Sequence, residues 1–164
     1  MARTQYIIDS QQVRRAFEVA PELATRAIGQ AIRTGVNRIA RDARRRAPKA
    51  DSTLTNSIIG RMVNPLTGEV SPGVAYARMV EEGTGPGGNP PLRSMLDWIQ
   101  VKRITPRDPS LSPLGLALVI ARSIAEKGTP AQPYLIPAFE QNQPDLARRV
   151  DQAVDQVLAG MGRA

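Results

Sequence analysis

Apolar positions recur along most of this chain with the 3.6-residue period of helices. Residues 4–8, TQYII, are the first exception, and their β-favouring content predicts a short strand. Asp9 and Ser10 then offer N-cap oxygens to a short helix over residues 11–19. Pro21 reads as the first residue of a second, longer helix. On that helix Ala24, Ile28, Ile32, Gly35, Val36, Ile39 and Ala43 share one face, while Arg26, Arg33, Arg41 and Arg44 fall on the other. The helix ends in Arg44, Arg45 and Arg46 before Pro48, so positive charge sits on the last turn, where the macrodipole favours it.

Beyond a polar, turn-prone stretch over residues 50–56, residues 57–63 and 69–70 read as two strands of a hairpin around Asn64-Pro65-Leu66-Thr67-Gly68. The next segment, AYARMVEEGT at residues 75–84, fits both helical spacing and strand alternation. One or two helical turns closed by Gly83 is the preferred reading. GPGGNPP at 85–91 is a loop by composition. Residues 92–101 form a short helix with Leu92, Met95, Leu96 and Ile99 on one face and Trp98 near it. Residues 103–113, with three prolines, read as an exposed excursion. Residues 114–127 are helical, with Ala117, Ile120, Ala121 and Ile124 as the stripe, and Gly128 stops them. Pro130, Pro133 and Pro137 bracket Tyr134-Leu135-Ile136, predicted as an extended piece confined to a sheet edge because proline lacks the amide donor. A last helix over about residues 144–160 places Leu146, Val150, Val154, Val157 and Met161 on one side.

The pattern predicts helices with a modest sheet in a single domain, 1–164. Composition agrees: aromatics are only 4% of the 164 residues, which suits helix packing with a modest sheet. No apolar run approaches the roughly 20 residues that span a bilayer, and MARTQYIIDSQQ lacks the apolar stretch of a signal peptide. The chain has no Cys and no His, which removes disulfides, thiolate metal sites and the commonest general base. The net charge of +7 favours contact with a polyanion. Arg33, Arg41, Arg44 and Arg45 are the candidates to face it, against the plainer reading of a solvated helix face. With no aromatic residue interleaved for base stacking, such contact would be to phosphate and independent of sequence.

Three motifs invite chemistry. Gly83, Gly85 and Gly88 satisfy G-x-G-x-x-G, but Glu81 and Glu82 stand where a buried strand is required and Pro86 lies in the turn, so no dinucleotide cofactor is expected. Glu81 and Glu82 are adjacent and point apart on a helix or a strand, which disfavours an acid and base pair. Their structural reading is a helix-end ion pair or a subunit-contact charge. No acidic spacing for a metal is present. The third motif is a repeat: EEGT at 81–84 is echoed by EKGT at 126–129, and the second copy leads into AQPYLIPA at 131–138. This suggests a core over about 4–84 and 128–140 with an inserted helical excursion over about 85–127.

With the excursion set aside, the order of motifs resembles a family of tailed-phage virion proteins, the small tail-completion or neck proteins that include the lambda minor tail protein Z group. The matching positions are Ala47-Pro48, Leu54, Ser57-Ile58, Tyr76-Ala77, Val80-Glu81, Gly83-Thr84, Pro130-Ala131, Pro133-Tyr134-Leu135 and Pro137-Ala138. Ser52-Thr53 and Glu82 depart from the family pattern. The resemblance implies an α+β fold: a small antiparallel sheet packed by a long amphipathic helix, with an inserted helical excursion and a C-terminal helix. It also implies a non-enzymatic structural protein of the head-tail neck, present in the virion and, during assembly, in the host cytoplasm. Its partners would be connector, tail terminator and tail tube, in a six- or twelve-fold homo-oligomeric ring, with possible nonspecific contact to DNA and none to membrane. Tyr76, Val80, Glu81, Gly83, Thr84, Pro133, Tyr134 and Pro137 would then be packing residues, and Gly85, Asn89, Arg107 and Asp108 would lie on inter-subunit loops. The alternative from another class is a free, sequence-nonspecific DNA-binding protein using the Arg-rich helix.

Overall fold

Ser10 caps the first helix, α1 (Gln11–Val19), its hydroxyl accepting the Val13 N–H at 3.2 Å. Asp9 turns instead to Arg14, 2.6 Å away. The computed structural model describes residues 5–49, 52–88 and 90–161; Thr4, Ala50, Asp51 and Asn89 of the segments above lie outside the described residues. After α1 come α2 (Pro21–Arg46), α3 (Thr53–Ser57), β1 (Ile58–Asn64), β2 (Thr67–Pro72), α4 (Ala77–Glu82), α5 (Leu92–Lys102), α6 (Pro113–Lys127) and α7 (Leu135–Met161). The fold is α+β, as the resemblance implies: a two-stranded antiparallel sheet packed against a long helix, with a C-terminal helix.

Two compact units share the chain. The first comprises residues 1–42, 60–71 and 137–164, the second residues 43–59 and 72–136. The first unit is organised by small residues. Ala16, Ala20, Ala24 and Ile28 from the α1–α2 stretch bury against Val150, Ala153, Val154 and Val157 of α7, with Val13, Phe17 and Leu146 at the margins. Alanines at the contact let helix axes approach closely, which a core so poor in aromatics needs. Val36 of the α2 stripe meets the hairpin, and an added Cβ on Gly68 would collide with its side chain. Gly68 is therefore a strand residue chosen for close approach, and not part of the turn. The turn is tighter than the composition suggests, because Asn64 Oδ1 accepts the Leu66 N–H at 2.9 Å and leaves only Pro65 and Leu66 between the strands.

Two expectations are corrected. The described part of residues 4–8 forms no strand: Tyr6 sets its ring edge-on to Phe139, centroids 6.4 Å apart, and Ile8 packs on the helical core, so these β-favouring residues are used as apolar surface. The last helix starts nine residues before Pro144, which lies inside it. An interior proline costs about 3 kcal/mol, and its neighbours offset this. Asn142 is buried, donating from Nδ2 to Asp42 Oδ2 at 2.5 Å and to the Ala138 carbonyl at 2.7 Å. Asp145 binds Arg38 at 3.0 Å, Arg149 at 2.8 Å and Arg148. The Arg149 hydrogen bond, with the three positive charges, holds the Asp145 carboxyl below the usual range.

In the second unit α5 packs on α6, with Ile99, Ala117 and Ala121 buried. Ser112 caps α6 by accepting the Gly115 N–H at 3.1 Å.

Glycine-to-alanine changes separate packing from propensity. Gly29 lies in α2, where alanine would gain about 1 kcal/mol on an open face. Its added Cβ would stand 2.5 Å from the Pro65 carbonyl oxygen of the hairpin. We expect Gly29→Ala to lose about 1–3 kcal/mol in urea denaturation, and Gly160→Ala, with open space around it, to be neutral or stabilising.

Candidate functional site

The motif residues of AYARMVEEGT and AQPYLIPA meet around one carboxylate. Glu81 occupies the last turn of α4, and its side chain reaches the start of α7. Oε2 accepts the N–H groups of Tyr134 at 2.8 Å and Leu135 at 2.9 Å, and Oε1 accepts that of Ile136 at 2.9 Å. The first four residues of a helix leave amide donors with no partner inside it. Counted from Tyr134, the residue just before α7, three of these donors are bound by Glu81, and the next residue, Pro137, has no N–H to satisfy. The missing donor that pointed to a sheet edge is the reason proline is tolerated in this first turn. Tyr134-Leu135-Ile136 is thus a helix start and not an extended segment. The negative charge at the positive end of α7 adds the dipole interaction. Glu81 is a helix cap where an ion pair is one expectation; of the two carboxylates Glu82 makes the helix-end ion pair, with Arg78 at 2.8 Å.

The repeat forms the second half of the junction. Thr84 and Thr129 make an isolated antiparallel bridge: Thr84 N–H to the Thr129 carbonyl at 3.0 Å, Thr129 N–H to the Thr84 carbonyl at 3.1 Å, and hydroxyl to hydroxyl at 2.9 Å. Each Thr follows a glycine that ends a helix with positive φ, Gly83 at 74° and Gly128 at 75°. Both glycines are also sterically required. A Cβ on Gly83 would stand 2.7 Å from the Thr129 carbonyl oxygen, and one on Gly128 would collide with the Thr84 carbonyl. Val80 completes the junction, its carbonyl accepting the Gln132 N–H at 2.8 Å.

Tyr134 is the largest fully buried side chain of the molecule's described core. Burial pushes its hydroxyl up to about 12, with the nearby charge of Glu81 and then Tyr76 adding to the effect. Tyr76 is 40% exposed, and Pro133 is exposed.

The remaining candidates are dispersed. Arg33, Arg41 and Arg45 are exposed on α2, whereas Arg44 is half-buried and donates Nε and a terminal nitrogen to the Ile58 carbonyl at 2.9 and 2.5 Å. Gly85 and Arg107 are exposed, and Asp108 folds its own loop, accepting from Ser110 N–H at 2.9 Å and Ser110 Oγ at 2.7 Å. Asn89 lies outside the described residues. Among the described residues no cluster of His, Cys, Asp and Glu could hold a metal ion, and no helix is long and apolar enough to cross a membrane.

Thr129 and Gln132 were not among the candidate residues. The EEGT and EKGT echo was the available signal for Thr129. For Glu81, the signal was a helix start lacking Ser, Thr, Asp or Asn at its own N-cap, which requires an acceptor from elsewhere.

The segment that ends at this junction matches a family model. Residues 11–83 match the HK97-gp10-like family model, "Bacteriophage HK97-gp10, putative tail-component". No curated protein and no solved structure matches the chain. The HK97-gp10-like match spans α1 to α4 and closes on Gly83, and it makes this region similar to phage tail components. It bears out the phage-tail part of the resemblance and leaves the lambda Z group to the proposal below.

Replacing Glu81 by Gln removes the charge and one acceptor oxygen. We expect a loss of about 2 kcal/mol in urea denaturation, against no more than about 0.5 kcal/mol for Glu82→Gln. Tyr134 supplies a pH test. Its folded pKa is raised from 10.0 to about 12, so its contribution to stability is complete below pH 10 and is lost as pH rises through about 12. A tyrosinate absorbance titration should show a step near 12 that Tyr134→Phe abolishes.

Proposed function

We propose that the protein is a non-enzymatic structural component of a tailed-phage neck, completing the tail and joining it to the head through a homo-oligomeric ring. The supporting observation is the tail-component match over residues 11–83, together with motif residues that form a hydrogen-bonded junction in place of a reactive centre. The order of motifs supports the narrower likeness to the lambda minor tail protein Z group. In this reading the ring contacts connector, tail terminator and tail tube, and resides in the virion after assembly in the host cytoplasm.

The Thr84–Thr129 bridge supports reading residues 85–127 as an insertion into a smaller core, because the two ends of that segment meet. A segment whose ends already touch can vary in length at little entropic cost. Its loops, with Gly85, Asn89, Arg107 and Asp108, are then the contacts to neighbouring subunits. A second reading, a free DNA-binding protein acting through α2, draws on the exposed Arg33 and Arg41; it loses Arg44 to the Ile58 carbonyl.

In a phage carrying this gene, disrupting it should leave filled heads and separate, uncompleted tails in electron micrographs, and the protein should co-purify with wild-type particles. Replacing residues 104–111 with a short Gly-Ser linker should keep the protein folded and lower the yield of joined particles at least tenfold. Normal infectious yield from the disrupted gene, or absence of the protein from purified virions, would rule the assignment out.

A further inference from the structure

We infer that the second unit holds a binding site for the phosphodiester backbone of duplex DNA, built from Lys49, Lys102 and Arg103. The inference does not rest on the neck assignment, and it uses residues other than Arg33 and Arg41 of α2.

The positive charge of the chain is unevenly placed. The second unit has eleven Lys and Arg against six Asp and Glu, while the first has eleven against nine. Most acids of the second unit have other work: Glu81 caps α7, Glu82 pairs with Arg78, Glu126 pairs with Arg122, and Asp108 binds Ser110.

The cations are gathered by a contact between distant parts of the chain. Lys102 Nζ donates to the Lys49 carbonyl oxygen at 3.1 Å, which sets the last turn of α5 beside the segment that leaves α2. Two basic runs separated by 53 residues thereby become neighbours. Lys49, Lys102 and Arg103 are all exposed, and none of them forms an ion pair with a carboxylate of the described residues. One carbonyl takes only one of the three ammonium donors of Lys102.

Helix capping alone does not account for this arrangement. A cation in the last turn of α5 satisfies the dipole through Lys102, but Lys49 lies beyond α2 and Arg103 beyond α5. Arg103 is also held at φ 51°, a left-handed backbone conformation that Arg adopts reluctantly; its N–H binds the Gln100 carbonyl at 3.2 Å. Asn or Gly would serve that cap at lower cost, so the backbone gives no reason for Arg there and the guanidinium does. Three exposed cations without aromatic partners suit phosphate contact without base reading. DNA is favoured over an acidic protein surface because phosphates recur at fixed spacing along a duplex and reward a compact group of cations wherever it lands.

The test is fluorescence anisotropy of a fluorescein-labelled random-sequence 20-base-pair duplex with purified full-length protein from about 25 to 200 mM KCl. Wild type should show log K falling linearly with log salt. The charge-neutral variant Lys49→Gln/Lys102→Gln/Arg103→Asn should bind at least tenfold more weakly at low salt, with a slope shallower by about 2–3. Arg33→Gln/Arg41→Gln should change affinity less than twofold. Should the triple variant fail to fold by circular dichroism, Arg103→Asn alone decides, since Asn tolerates the left-handed conformation; it should reduce the slope by about 0.9. Unchanged slopes in these variants, loss of binding in the α2 variant instead, or equal competition by polyglutamate at matched charge would each overturn the inference.

Discussion

A single carboxylate bound to three amides sets where the longest helix of this protein begins. Glu81 lies at the end of α4, and the N–H groups it accepts belong to residues more than fifty positions later. Without an acceptor there, the first turn of α7 would leave amide donors unpaired next to the fully buried Tyr134, a cost of about 1–3 kcal/mol for each group that water cannot reach. The proline at the third helical position fits the same accounting, having no donor to satisfy. The Thr84–Thr129 bridge and the two positive-φ glycines fasten the chain on the other side of the same junction. Sequence features that look like a cofactor loop and an acidic pair are thus parts of a helix cap and a clasp.

The helices were legible wherever their own side chains determine them. α1 follows from the Ser10 cap and the apolar spacing behind it, α2 from Pro21 and a stripe that runs from Ala24 to Ala43, and α5 and α6 from short amphipathic patterns, the second ended by Gly128. What periodicity misses is any element whose boundary is set from a distance. The start of α7 is the clearest case: local rules read three prolines as confining an extended piece to a sheet edge, and the remote Glu81 makes it a helix start. The hairpin shows the same limit on a smaller scale, since Gly68 looks like a turn residue until the Val36 side chain packed against it is known. The apolar residues near Tyr6 have strand-like content but pack on helices. As for the site, the motif positions were visible as landmarks, and the repeat hinted that two of them pair, whereas the acceptor role of Glu81 needed coordinates.

Function follows from this division of labour. The region similar to phage tail components ends at Gly83, where the clasp begins. The residues most distinctive in the sequence are spent on holding backbone in place: Gly83 on a close carbonyl, Thr84 on Thr129, Tyr134 in the interior. A protein that must present fixed surfaces to neighbours in a large assembly needs such junctions more than it needs a reactive group. In the neck assignment proposed above, contact with neighbours falls to the segments on either side of α5, with their prolines, glycines and cations.

The central claim is that Glu81 is the N-terminal cap of α7, and amide hydrogen exchange of Tyr134, Leu135 and Ile136 followed by NMR measures it directly. The account predicts that these three amides are protected in the wild type and that Glu81→Ala lowers their protection by at least tenfold relative to amides in the middle of α7. Rapid exchange of the three amides in the wild type, or unchanged protection in Glu81→Ala, would contradict it.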